Sequence, residues 1–172
     1  MTKTVAIFLT ICSFFLLSSC LDGVDDNPED RSPEKEQREL EAALAILVEE
    51  GYDIDTSALG IYYIIHEEGE GAYPQPGDTL SLEYTGYLLG GLIFDASAYH
   101  YEDAIWEFIY KEEDLIPGFD DGLSLMNKGT GIDMIIPSHL AYGEEGYGLI
   151  KPYSTVVFTA KMHDLKPGNL QE

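Results

Sequence analysis

Two stretches of alternating residues, far apart in the chain, constrain the fold most. Leu80, Leu82 and Tyr84 alternate with Ser81, Glu83 and Thr85, while Val156, Phe158, Ala160 and Met162 alternate with Val157, Thr159, Lys161 and His163. Successive side chains of a strand point to opposite faces, so each stretch reads as a strand with an apolar face to bury. Further β-rich runs stand at residues 61–65, at Ile93 and Phe94, and at residues 132–136, the last ended by Pro137. Pro74-Gln75-Pro76-Gly77-Asp78 marks a turn and Gly90-Gly91 a hairpin. One short helix is expected among these strands, over about residues 117–126, bounded by Pro117 and Gly129. Several antiparallel strands around one short helix make an α+β domain, here expected over residues 59–166 with a tail at 167–172.

The period changes ahead of that domain. Ser32 can cap a helix, Pro33 suits its first turn and Gly51 is placed to stop it. Leu40, Ala43, Leu44, Leu47 and Val48 fall on one helical face, a stripe suited either to docking on the domain or to pairing with another copy. Residues 21–50 carry 11 acidic and 3 basic side chains, and residues 21–31 have no hydrophobic period. Residues 20–58 are therefore expected to be an acidic tether followed by an amphipathic helix, separate from the domain. Asp22, Asp25 and Asp26 lack the spacing of a calcium loop.

The formal net charge is −23, which repels nucleic-acid phosphates and excludes nucleic acid as a partner. The two cysteines, Cys12 and Cys20, both stand near the N-terminus, leaving the domain without a thiol for a disulfide, a nucleophile or a zinc shell. His66, His100, His139 and His163 are too scattered for a metal-ligand motif, so no metal site is expected. Lys3 followed by the apolar run 5–17 is too short for a permanent span and suits a signal peptide over residues 1–19. It closes on Leu17-Ser18-Ser19-Cys20, which resembles the lipobox of bacterial lipoproteins and makes Cys20 the expected site of lipidation. The domain would then face water from a membrane of the cell envelope. The acids after Cys20 resemble surface-export signals of outer-membrane lipoproteins, and a solvated linker explains them equally, so periplasm and cell surface both stay open.

Three segments of the domain, in order, resemble FKBP-type peptidyl-prolyl cis–trans isomerases. They are Gly77-Asp78-Thr79-Leu80-Ser81-Leu82-Glu83-Tyr84-Thr85-Gly86 with Phe94-Asp95-Ala96-Ser97; Leu115-Ile116-Pro117-Gly118-Phe119-Asp120-Asp121-Gly122-Leu123; and Ile136-Pro137-Ser138-His139-Leu140-Ala141-Tyr142-Gly143 with Ser154-Thr155-Val156-Val157-Phe158. The resemblance implies a curved five-stranded antiparallel sheet around a short helix, with an aromatic hollow that accepts a proline ring. Carried over by position, the hollow would be lined by Tyr84, Phe94, Asp95, Trp106, Leu115, Ile116, Phe119, Tyr142 and Phe158. Leu149 and Ile150 would lie on a flap beyond Tyr142. The Ile116 N–H and the Tyr142 hydroxyl would donate to substrate carbonyls, and Asp95 would share the catalytic role.

The resemblance implies no cofactor. Its substrates would be proline-containing exported polypeptides, and the activity would assist their folding. Trp106 and Phe108 match an aromatic pair that is usually phenylalanine in the family. The segment 96–107 is longer than in compact members and lacks the arginine that many pair with the aspartate, so Tyr99 or His100 is expected to hold Asp95 instead. That departure keeps a second reading open: a binding or chaperone module that retains the hollow without turnover.

Overall fold

A computed structural model describes residues 31–168. The Cys20 lipobox, the signal sequence and most of the acidic tether lie outside the described residues, as do the last four residues of the tail.

Helix α1 (Pro33–Glu49) begins where Ser32, in extended conformation, accepts a hydrogen bond from the Lys35 N–H at 3.2 Å. It ends in a Schellman motif: Gly51 at φ +89 lets its own N–H reach the Val48 carbonyl and the Tyr52 N–H reach that of Leu47. Of the two arrangements open to its apolar stripe, the structure shows docking. Leu40 is 3% exposed, and burying such a side chain contributes about 1.5–3 kcal/mol. Ala43, Leu44 and Leu47 are half-buried, but Val48, the last residue but one of the helix, is 62% exposed and lies off the docked face.

Among the described residues seven strands follow: β1 (Asp55–Thr56), β2 (Tyr62–Glu67), β3 (Thr79–Leu88), β4 (Ile93–Ala96), β5 (Trp106–Ile109), β6 (Gly131–Ile136) and β7 (Val156–Lys166). All pair antiparallel in the order β1-β2-β6-β7-β3, with β4 and β5 both on the remaining edge of β3. Strand β5 pairs residues 79–82 and β4 pairs residues 85–87, so together they form one interrupted strand. With the two-residue β1 set aside, the sheet is the curved five-position sheet expected. The sheet begins at Asp55, ahead of residue 59, because Asp55 and Thr56 pair with Tyr63 and Tyr62.

The alternation in β7 holds. Val156, Phe158, Ala160 and Met162 are buried and His163 is exposed. In β3 it is interrupted, because Leu80, Ser81 and Leu82 are all buried around a register shift between Ser81 and Leu82. Helix α2 (Pro117–Ser124) packs Phe119 and Leu123 into a core with Ile61, Leu82, Met134 and Met162. Its approach to β6 depends on two glycines. A Cβ on Gly118 would come within 2.3 Å of Ile136 Cγ2, and one on Gly122 within 2.0 Å of Met134 Sδ.

Candidate functional site

The concave side of the sheet gathers aromatic rings from five elements. Tyr84 comes from β3, Phe94 from β4, Trp106 from β5, Phe119 from α2 and Phe158 from β7. Phe119 and Phe158 are 4% and 5% exposed and lie 4.7 Å apart between ring centroids, forming a floor. Tyr84 stands edge-on to Trp106 at 5.8 Å and to Phe119 at 5.9 Å, while Phe94 is edge-on to Phe158 at 5.4 Å and to Tyr142 at 6.1 Å. Edge-to-face contacts at these separations add to the stabilisation from burial and fix ring planes. Tyr84, Phe94, Trp106 and Tyr142 are all half-exposed, so the apolar wall remains open on one side. Alternation within β5 puts Trp106 and Phe108 on one face, where their rings stack at 4.0 Å and 21°.

One carboxylate faces this wall. Asp95 accepts the Tyr84 hydroxyl at 2.8 Å on one oxygen; the other lies 2.9 Å from the Ala96 N–H and 2.6 Å from His100 Nε2. Of the two residues expected to hold Asp95, His100 is thus the one in contact with it, whereas Tyr99 is 65% exposed. Ser97, fully buried, bonds both the N–H and the carbonyl of Tyr84 and so fixes the backbone behind the phenol. Burial, then the hydrogen bond to Asp95, pushes the Tyr84 phenol well above its ordinary range. Burial first and the Asp95 charge second raise the Tyr142 phenol too. Both hydroxyls therefore stay protonated, and able to donate, at neutral pH.

Leu115 and Ile116 precede α2 and are half-exposed against the core. The Ile116 carbonyl accepts from the Phe119 and Asp120 N–H groups, while its own N–H has no backbone acceptor among the described residues. Beyond Tyr142, Leu149 and Ile150 diverge: Leu149 is 63% exposed and Ile150 is 4% exposed within the core. Sequence reasoning missed Tyr147, whose ring stacks on Tyr142 at 5.9 Å and 17°. Five residues along a loop, it carried no periodic signal. Among the described residues no group of three His, Cys, Asp or Glu side chains could hold a metal ion.

Comparison with known protein families matches residues 70–163 to the FKBP-type peptidyl-prolyl cis–trans isomerase family. The FKBP-type isomerase FkpA of Escherichia coli K12 is 37% identical over 114 residues, covering 66% of this chain and 41% of the relative. The crystal structure of Escherichia coli FkpA superposes with a TM-score of 0.68 at 34% identity, covering 81% of this chain and 63% of that one. The outer membrane protein MIP of Legionella longbeachae is 34% identical over 108 residues, 62% of this chain and 45% of the relative. A solved isomerase from Pseudomonas syringae matches at a TM-score of 0.60 and 28% identity, covering 76% of this chain and 96% of that one. The chain thus spans less than half the length of both curated relatives.

Proposed function

Because the chain belongs to the FKBP-type peptidyl-prolyl cis–trans isomerase family, we propose that it is itself a peptidyl-prolyl cis–trans isomerase that rotates X–Pro bonds in the hollow of Tyr84, Phe94, Trp106, Phe119, Tyr142 and Phe158. The observation that carries this reading is an open, half-exposed ring wall over a buried aromatic floor, with a single carboxylate held at its edge.

The chemistry asks for little else. Amide resonance imposes a rotation barrier of about 18–20 kcal/mol, and no covalent bond has to break to cross it. Twisting returns electron density to the proline nitrogen and makes the amide less polar. An apolar wall that excludes water therefore favours the twisted form over the planar one. The Ile116 N–H and the Tyr142 hydroxyl hold the carbonyls on either side, and Asp95 keeps the Tyr84 ring in place through its hydroxyl. Each tenfold in rate needs about 1.4 kcal/mol, so a few contacts better made in the twisted state suffice.

Substrates in this reading are proline-containing polypeptides that have left the cytoplasm. The Leu17-Ser18-Ser19-Cys20 motif supports a lipid anchor at Cys20, and a relative named as an outer membrane protein supports the cell envelope. Among the described residues no helix is long and apolar enough to cross a membrane. Replacing the thiol in Cys20→Ala is expected to abolish labelling by a fatty-acid precursor; persistent labelling would contradict the anchor.

The isomerase reading is tested by refolding a protein whose slow phase is proline isomerisation. That phase should quicken in proportion to added chain, and Tyr142→Phe should weaken the effect about tenfold, the worth of one well-placed hydrogen bond. A slow phase that never responds would contradict the reading.

A further inference from the structure

We propose that Glu36 is a positioning residue for Tyr142, and that the start of α1 thereby sets the flap over the hollow; this rests on the isomerase reading above. A glutamate in the first turn of a helix ordinarily faces water, where it complements the helix dipole. Glu36 is instead 8% exposed. One of its oxygens accepts the Ser138 N–H at 2.6 Å and the Thr155 hydroxyl at 2.8 Å, and the other accepts the Ser138 hydroxyl at 2.5 Å. Ser138 and Thr155 are themselves 3% and 2% exposed, so the whole cluster is withdrawn from water.

The place of these partners gives the cluster its meaning. Ser138 is the second residue of the segment that joins β6 to β7, and Thr155 is its last. Tyr142 lies between them. The Ser138 carbonyl accepts the N–H groups of Ala141 and Gly143, both at 2.8 Å, the two residues that flank Tyr142. Glu36 therefore holds the donor side of a serine whose acceptor side holds the backbone on either side of the phenol. The other leg of the flap is tied to the same helix. The Gly143 carbonyl accepts from the Tyr153 N–H at 2.9 Å, and Arg31 donates to the Tyr153 carbonyl at 2.5 Å and the Pro152 carbonyl at 3.3 Å. Glu39 grips Arg31 in turn, at 2.8 and 2.9 Å. Tyr153 has φ +49, a left-handed conformation that a non-glycine residue keeps only when its surroundings hold it.

Leu40 and its half-buried apolar neighbours give α1 an apolar contact of its own with the domain. A buried carboxylate is a poor source of stability, since apolar residues of similar volume often serve as well or better. What the carboxylate supplies is geometry, at the point where a donor must meet a twisting amide. An ångström of misplacement can cost roughly a hundredfold in rate.

The test is a double-mutant cycle on a proline tetrapeptide, with each variant first shown to be folded by its thermal transition. Glu36→Ala and Tyr142→Phe should each lower kcat/KM about tenfold, and the double variant should match the worse single one to within about twofold, the usual scatter of such cycles. Coupling of this kind separates positioning through Tyr142 from a general loosening of the fold, which would multiply to about a hundredfold. Ser138→Ala removes one of the Glu36 bonds and keeps the N–H bond; it should cause a smaller loss, also absorbed by Tyr142→Phe, and it decides the matter should Glu36→Ala fail to fold. Parental kcat/KM in a folded Glu36→Ala variant, or losses that multiply, would overturn the proposal. A parent without turnover would sink the isomerase reading alone, and the same cycle is then scored on peptide affinity through Trp106 emission.

Discussion

Tyr84 and Asp95 hold each other in place, and the cost is visible at alkaline pH. The phenol gives up water through burial and gains the Asp95 carboxylate, and both changes disfavour its ionised form. The folded chain thus keeps a proton that the unfolded chain releases near pH 10, the ordinary tyrosine value. The contribution is fully present below that pH and is lost as pH rises beyond it. Other raised phenols, Tyr142 and Tyr110 among them, act in the same direction, so the variant Tyr84→Phe isolates this one. It should lose roughly 1 kcal/mol at pH 8 with the hydrogen bond. The gap between variant and parent should then narrow above pH 10, as read from urea midpoints. A gap that stays constant across that range would mean that the Tyr84 phenol titrates no differently in the two states.

Among the elements, α1 departs most from its reading in the sequence. Its helical period and its charge set it apart from the strands, yet it ties down both legs of the flap. A fragment starting at Asp53 keeps β1 but would lose the burial of Leu40 and leave the hydroxyls of Ser138 and Thr155 without their acceptor. Together these cost a few kcal/mol, of the same order as a small domain's whole stability. The fragment is expected to fold with a clearly lower urea midpoint and with faster amide exchange at Ala141 and Gly143; parental stability and parental protection would contradict the role given to α1. The long strands β3 and β7 were legible because alternation over many residues has a single cheap solution, and α2 because Pro117 and the following glycines punctuate it. Strand β5 was not: its four residues, Trp106-Glu107-Phe108-Ile109, read as an aromatic pair, and only pairing with residues 79–82 makes them a strand. Glu36 was hidden for a different reason. A glutamate three residues after a helix-starting proline has a sufficient local explanation, and its partners lie 102 and 119 residues away.

At the scale of the molecule, the order of motifs conveyed more than any single residue. Tyr84, Phe94, Trp106, Tyr142 and Phe158 lie on separate strands and loops, and only the strand order of the curved sheet brings their rings within 6.2 Å of a neighbour. His100 lies against Asp95, a contact that the sequence could narrow to two residues but not to one. The central claim is that this hollow lowers the barrier to X–Pro rotation, and a hollow that merely bound proline would look much the same at rest. Exchange NMR on one proline tetrapeptide separates the two, with the emission of Trp106, the single tryptophan, recorded on the same samples. The account predicts a cis-to-trans rate that rises linearly with added chain, an emission shift of the parent on peptide binding, and loss of the rate effect in Trp106→Ala while Trp106→Phe keeps it. An emission shift that saturates with peptide while the isomerisation rate stays at its uncatalysed value would contradict it.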